Sequence, residues 1–262
     1  MINALILAAA LAAQSSPSTG SLTVRGKVLT VHYYGPRTGR PVVVTSGDGG
    51  WIHLAPHVAE VLAKAGCFVV GIDSREYLSA FTAGRQGVNP GDVPADFRAF
   101  AALAAGSGPA KPILVGVSEG AGLSVLAAAD PAAKAAVAGV VALGLPDLNE
   151  LAWRWKDAII YLTKGVPDEP TFSVAGIIDH VAPLPLAAIH STGDEFVPVP
   201  TIRRLMALSK EPKKLWLVDG SDHRFSGRET EFDLRVIEAC DWIRSLSHSH
   251  EPSPPPATAP AR

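Results

Sequence analysis

The sequence predicts an α/β fold: a mostly parallel central sheet with helices on both faces, in one domain over 21–246. Three observations carry this. Strand-like and helical runs alternate along the chain. Several of the strands are apolar throughout, as expected of strands buried on both faces. One of them, Ile113-Leu114-Val115-Gly116-Val117, leads through Gly-x-Ser-x-Gly into an alanine-rich helical stretch.

The elements follow in order. Residues 22–25 and 28–34 form a hairpin around Gly26-Lys27, and 41–45 is the next strand. A helix spans about 54–65, with Leu54, Val58, Val61 and Leu62 on one face and Gly66 ending it. The wholly apolar 67–72 is a strand, and 94–105 is a helix carrying Phe97, Phe100 and Leu103. After the strand 113–117, a helix runs to Asp130-Pro131. Strands at 138–143, 185–191 and 214–218 follow, with helices at 201–208 and 232–246. No internal repeat is visible. The alternation breaks between 146 and 183, where Leu151-Ala152-Trp153-Arg154-Trp155 opens a helix to about Leu162 and Pro/Gly-broken sequence follows. Because this segment lies between two strands on the carboxyl-end side of the sheet, it reads as a short cap insertion. Trp153 and Trp155 are candidate substrate contacts there, with core packing within the cap as the alternative.

The run Gly116-Val117-Ser118-Glu119-Gly120 in this strand–turn–helix context matches a nucleophile elbow and points to the α/β-hydrolase fold. Gly116 and Gly120 leave room beside a tight turn. Ser118 is then held at a helix N-terminus, where backbone N–H groups can stabilise an oxyanion. The alternative is a glycine-rich turn whose serine caps the helix. A serine nucleophile needs an acid and a base, which follow it in that order in this fold. Asp194, in Thr192-Gly193-Asp194-Glu195-Phe196-Val197-Pro198, and His223, in Asp219-Gly220-Ser221-Asp222-His223-Arg224-Phe225, both leave strand carboxyl ends, where ligands gather in open sheets. Glu195 and Asp147 compete for the acid role, and Asp194 could instead be an ordinary turn residue.

The other histidines fit the base role less well. His190 falls inside a strand, His248 and His250 in a polar tail, and His32 and His180 have no motif around them. His53 and His57 have the spacing of some metal pairs but lack the accompanying Glu, and Pro56 lies between them. No metal site and no cofactor is expected. The second oxyanion donor should come from Thr45-Ser46-Gly47-Asp48-Gly49-Gly50-Trp51, after strand 41–45. There the backbone N–H of Asp48, or failing it Gly49, joins that of Glu119, and a plain glycine turn is the alternative reading. Trp51, Glu195 and Asp222 are further candidate substrate contacts.

The Ser46-Gly47-Asp48-Gly49-Gly50-Trp51 run, Val69-Val70-Gly71-Ile72-Asp73-Ser74 with Tyr77, the serine elbow and the His223-Arg224-Phe225 loop together resemble the VirJ/AcvB group of exported bacterial hydrolases, over about 41–243. The elbow departs from the group's pattern at Val117, Glu119 and Gly122, as a sister branch would. The resemblance implies an α/β-hydrolase that cleaves aminoacyl esters of phosphatidylglycerol on the outer face of the inner membrane.

Composition bounds the rest. With 47% hydrophobic residues, the chain can bury one large core. Its 23 Lys and Arg nearly balance 25 Asp and Glu, without a basic stripe, which argues against nucleic-acid binding. Cys67 and Cys240 are far apart in sequence and read as free buried thiols. Residues 1–13 read as a signal peptide with Ala10-Leu11-Ala12 as cleavage signal, although Met1-Ile2-Asn3 lacks a basic residue. The apolar stretch is shorter than the roughly 20 residues a membrane span takes, and no cysteine follows for lipoprotein processing. The proline-rich 247–262 reads as a disordered tail. These features describe an exported, periplasmic or secreted serine hydrolase with a small-molecule or lipid ester substrate and peripheral contact with a membrane surface. The competing readings are an esterase or peptidase on small soluble substrates, and a non-catalytic binding protein on the same scaffold.

Overall fold

A computed structural model describes residues 16–154 and 170–248. The signal-like segment 1–13, Trp155 with the rest of the predicted cap helix, and the tail from 249 lie outside the described residues. Among the described residues ten strands run in chain order: β1 (Ser18–Val24), β2 (Lys27–Tyr34), β3 (Arg40–Thr45), β4 (Cys67–Ile72), β5 (Ile113–Val117), β6 (Gly139–Leu143), β7 (Leu148–Glu150), β8 (Thr171–Ser173), β9 (Leu186–Ser191) and β10 (Lys213–Val218). The helices are α1 (Leu54–Lys64), α2 (Ser74–Phe81), α3 (Val93–Ala105), α4 (Glu119–Ala129), α5 (Pro131–Ala136), α6 (Val199–Leu208) and α7 (Glu229–His248).

Eight strands form one sheet in the order β1-β2-β4-β3-β5-β6-β9-β10. β1, β2 and β4 pair antiparallel, and every pairing from β4 to β10 is parallel. This is the α/β-hydrolase architecture, with the hairpin at one edge. The apolar runs fall where the physics requires. β4, β5, β6 and β9 are buried at every residue and lie inside the sheet. Side chains alternate between faces along each strand, so one core forms on each side. Val43, Val70, Leu114 and Val140 pack under α2, α3, α4 and α6. Val42, Val69, Val115 and Val141 pack under α1 and α7.

The departures from the expected elements have local causes. The hairpin turns at Arg25-Gly26, both at positive φ, and β1 is longer than expected. A left-handed arginine is unfavourable. Its guanidinium compensates by pairing with buried Asp96, at 2.7 Å, and with Asp92, at 3.0 Å. Tyr77 donates to the same Asp96 carboxylate at 2.7 Å, joining hairpin, α2 and α3. Helix α2 is too short for apolar periodicity to reveal, but Asp73 caps it by accepting the Glu76 N–H. Helix α4 ends where expected, at Ala129 with Asp130 as its C-cap, but the Asp130 carboxylate also accepts the Ala132 and Ala133 N–H groups and starts a further helix, α5, with Pro131 in its first turn. Within the predicted cap, β7 and β8 pair antiparallel. At the other end, α7 continues through 247–248, two residues into the predicted tail. Cys67 and Cys240 are free and buried, and burial pushes the Cys240 thiol up to about 12.

Candidate active site

Ser118 joins β5 to α4 at φ 49° and ψ −114°, a strained conformation for a residue with a side chain. The turn is over-determined by its surroundings. The Ser118 N–H donates to the Leu143 carbonyl at 2.8 Å, and its own carbonyl accepts from Ala121 and Gly122. A Cβ at Gly116 would collide with the Gly120 carbonyl, and one at Gly120 with the Thr45 and Ser46 carbonyls, so only glycines allow this approach. Buried Thr45 and Ser124 hydroxyls both donate to the Gly120 carbonyl, at 3.1 and 2.7 Å, tying the first turn of α4 to the end of β3. The Ser118 side chain does not cap α4. The capping alternative is therefore excluded, and Ser118 is half-buried and lines a cleft.

Asp194 and His223 meet at that cleft. The acid loop leaves β9 and the base loop leaves β10, and the parallel β9–β10 register brings the two exits side by side. The Gly193 N–H donates to the Gly220 carbonyl at 3.0 Å, fastening the loops together. His223 Nδ1 lies 2.6 Å from Asp194 Oδ2. Because a carboxylate accepts, Nδ1 carries the proton and Nε2 keeps its lone pair. The other Asp194 oxygen accepts the Phe196 and Val197 N–H groups, at 2.9 and 2.8 Å. Burial pushes the Asp194 carboxyl up, but the His223 hydrogen bond and charge, with the two amides, hold it below its ordinary value.

The two competitors for the acid role serve other contacts. Glu195 accepts the His223 backbone N–H at 2.8 Å, so it holds the base loop and leaves the imidazole to Asp194. Asp147 pairs with Arg204 at 2.5 Å and accepts from Ser173 Oγ and the Ala175 N–H, bridging the β6 exit, α6 and the segment after β8. Burial raises its carboxyl, and these partners more than reverse that. Asp222 accepts the Arg224 and Ser226 N–H groups and stiffens the base loop.

Two supporting residues carried no sequence signal that marked them out. His190 is fully buried, donates from Nε2 to the Val197 carbonyl at 2.8 Å, and backs the acid loop 3.9 Å from Asp194 Oδ2. Burial lowers its pKa and favours the neutral ring. Alternation predicts that it is buried, but not what it faces. Gly144, at φ +60°, lies under the His223 ring: a Cβ there would stand 2.6 Å from His223 Cε1. A glycine at the exit of the β6 strand is the only hint the sequence offers.

The cleft, of about 760 Å³, also takes in Gly47, Asp48, Gly49, Glu119, Glu195 and Asp222. Gly47 passes close to Ser118, where a Cβ would be 3.4 Å from Ser118 Cβ. Ile52, Leu148 and Phe196 stand at its rim, 53%, 48% and 55% exposed. Trp51 and Trp153 are not among the lining residues. The Trp51 indole stacks on His32 at 4.6 Å and donates to the Tyr34 hydroxyl, lying over Gly71 on the sheet. Trp153 packs against the core beneath the Arg75 guanidinium. Both rings pack against the protein away from the cleft lining, and Trp155 lies outside the described residues. Among the described residues no group of three or more His, Cys, Asp or Glu suits a metal, and His57 pairs with Asp233 at 2.7 Å. No helix among them is long and apolar enough to cross a membrane.

The family model described as bacterial virulence protein (VirJ) matches residues 40–159, from β3 through the elbow to the start of the insertion. No curated protein matches the chain. Solved structures share the fold at low identity. An esterase from Pyrococcus furiosus is 18% identical with a TM-score of 0.64, covering 87% of this chain and 91% of its own. The esterase domain of a Rhodothermus marinus protein is 17% identical with a TM-score of 0.60, covering 88% and 99%. A dienelactone hydrolase from Anabaena variabilis is 18% identical with a TM-score of 0.60, covering 87% and 97%.

Proposed function

We propose that this chain is an exported serine hydrolase that cleaves carboxylic esters through Ser118, His223 and Asp194. One observation carries the reading. A strained elbow serine and a histidine oriented by a buried aspartate open onto the same cleft. His223 Nε2 takes the Ser118 proton as Oγ attacks the ester carbonyl. The oxyanion is met by the backbone N–H groups of Glu119 and of Asp48 or Gly49. Collapse expels the alcohol, which receives the proton from His223. Water, deprotonated by the same imidazole, then releases the acid and restores Ser118. Asp194 fixes the tautomer and stabilises the imidazolium.

The lining supports an ester whose acyl part carries an amine. Asp48, Glu119, Glu150, Glu195 and Asp222 line one cleft against the single guanidinium of Arg224, and a cleft with an excess of carboxylates concentrates cationic ligands. The apolar rim suits a lipid alcohol part, and aminoacyl phosphatidylglycerol, the substrate that the resemblance to the VirJ/AcvB group implies, has both features. Matched alanyl or lysyl esters are expected to exceed their des-amino analogues in kcat/KM by about tenfold or more at low salt. The advantage shrinks as salt shortens the Debye length to about 8 Å at physiological ionic strength. Equal rates at low salt would leave an esterase for neutral soluble substrates. Export is supported by the apolar 4–13 run alone. Osmotic shock should release the native protein with the periplasmic fraction, and retention in the cytoplasm would rule export out.

A further inference from the structure

The glycine-rich loop from Ser46 to Trp51 has few side chains with which to hold itself, yet it must aim an N–H at a point beside Ser118. Its two ends are held from outside the cleft by two consecutive residues at the β4–α2 junction. At the near end, the Ser74 N–H donates to Ser46 Oγ at 2.9 Å, and that hydroxyl donates onward to the Gly47 carbonyl. At the far end, the Trp51 N–H donates to Asp73 Oδ2 at 3.0 Å. Between them the Gly50 N–H closes on the Gly47 carbonyl at 3.1 Å. The carboxylate of Asp73 is thus divided. Oδ2 holds the loop, and Oδ1 accepts the Glu76 N–H at 3.1 Å to cap α2.

We propose that Asp73 is a positioning residue for the oxyanion hole, with Ser46 as its counterpart at the other end of the loop. The proposal rests on the reading of Ser118 as nucleophile and of this loop as the second donor's source. A donor aimed at the oxyanion acts in the transition state and contributes little to ground-state binding. Loosening the loop should therefore lower kcat and leave KM nearly unchanged. A merely structural role, capping α2, predicts otherwise. Serine is about as good an N-cap as aspartate, so Asp73→Ser would restore the protein fully if capping were all that mattered. The Trp51 and Glu76 amides are held by different carboxylate oxygens, and serine has one oxygen, on a shorter side chain, to place between them.

The test uses the full chain with p-nitrophenyl acetate, comparing Asp73→Ser, Ser46→Ala, Asp130→Ala and Ser118→Ala. Asp130 also caps a helix, α5, and lines no part of the cleft, so it controls for lost capping. Asp73→Ser is expected to lose about 10- to 100-fold in kcat, with KM within about twofold. Its affinity for benzeneboronic acid, which forms a tetrahedral adduct on the serine, falls in parallel. Ser46→Ala leaves the α2 cap intact and shows the same split, so the proposal survives a folding failure of Asp73→Ser. Asp130→Ala keeps its kcat. Wild-type kcat in Asp73→Ser and Ser46→Ala, with Ser118→Ala inactive, overturns the positioning role alone. Wild-type turnover in Ser118→Ala overturns the underlying reading and the positioning role with it.

Discussion

Ser118→Ala is expected to lose on the order of 10⁶-fold in kcat, as when the nucleophile of a serine triad is removed, and to abolish labelling by a fluorophosphonate probe. The protein should stay folded with an unchanged thermal midpoint. The Ser118 side chain does not cap α4, and the backbone bonds that hold the turn are indifferent to the hydroxyl. Alanine meets the same steric cost at φ 49° as serine does, so the strain is neither added nor relieved. Activity and stability therefore separate at this position, which is the signature of a group kept for chemistry. Labelling decides between an enzyme and a binding protein on the same scaffold. Retention of more than a few per cent of turnover would exclude Ser118 as the nucleophile.

The parts legible in the sequence were those governed by local rules. Continuous apolar runs identify β4, β5, β6 and β9 because burial on both faces leaves no polar side to alternate. Gly116-x-Ser118-x-Gly120 identifies the elbow because the turn permits no side chain at its flanks. Asp194 and His223 could be located at strand exits from strand order and spacing alone. What escaped depends on which side of a loop faces which neighbour. Trp51 sits one residue from cleft-lining Gly50 and Ile52, yet its ring turns back onto β2 and β4. Helix α2 is shorter than the window over which periodicity speaks, and only the Asp73-x-x-Glu76 cap announces it. Gly144 meets His223 across nearly eighty residues of sequence, a contact no local pattern encodes.

Asp194→Asn should cost about 10⁴-fold in kcat, the loss seen when the orienting acid of a related triad is made an amide. The reason lies in the 2.6 Å bond to His223 Nδ1. Oδ1 already accepts two backbone N–H groups, so an asparagine keeps its carbonyl oxygen there and presents its NH₂ to the imidazole. Nδ1 must then accept, the proton moves to Nε2, and the lone pair that the proposed mechanism uses is lost. Glu195→Gln retains a carbonyl acceptor for the His223 backbone N–H and is expected to stay within a few-fold of wild type. Asp147→Asn weakens a bridge to Arg204 and leaves the imidazole untouched. Stability gives an independent reading of the same bond. The folded carboxyl of Asp194 is depressed, so its contribution is present above the unfolded value of about 3.9 and is lost as pH falls through the folded one. Asp194→Asn should therefore be less stable than wild type at neutral pH, and the gap should narrow in acid. Urea titrations at pH 7 and pH 3 measure that convergence, and single-turnover kinetics at pH 7 measure the lost base. Near-wild-type turnover in Asp194→Asn, together with a severe loss in Asp147→Asn, would move the acid to the exit of β6.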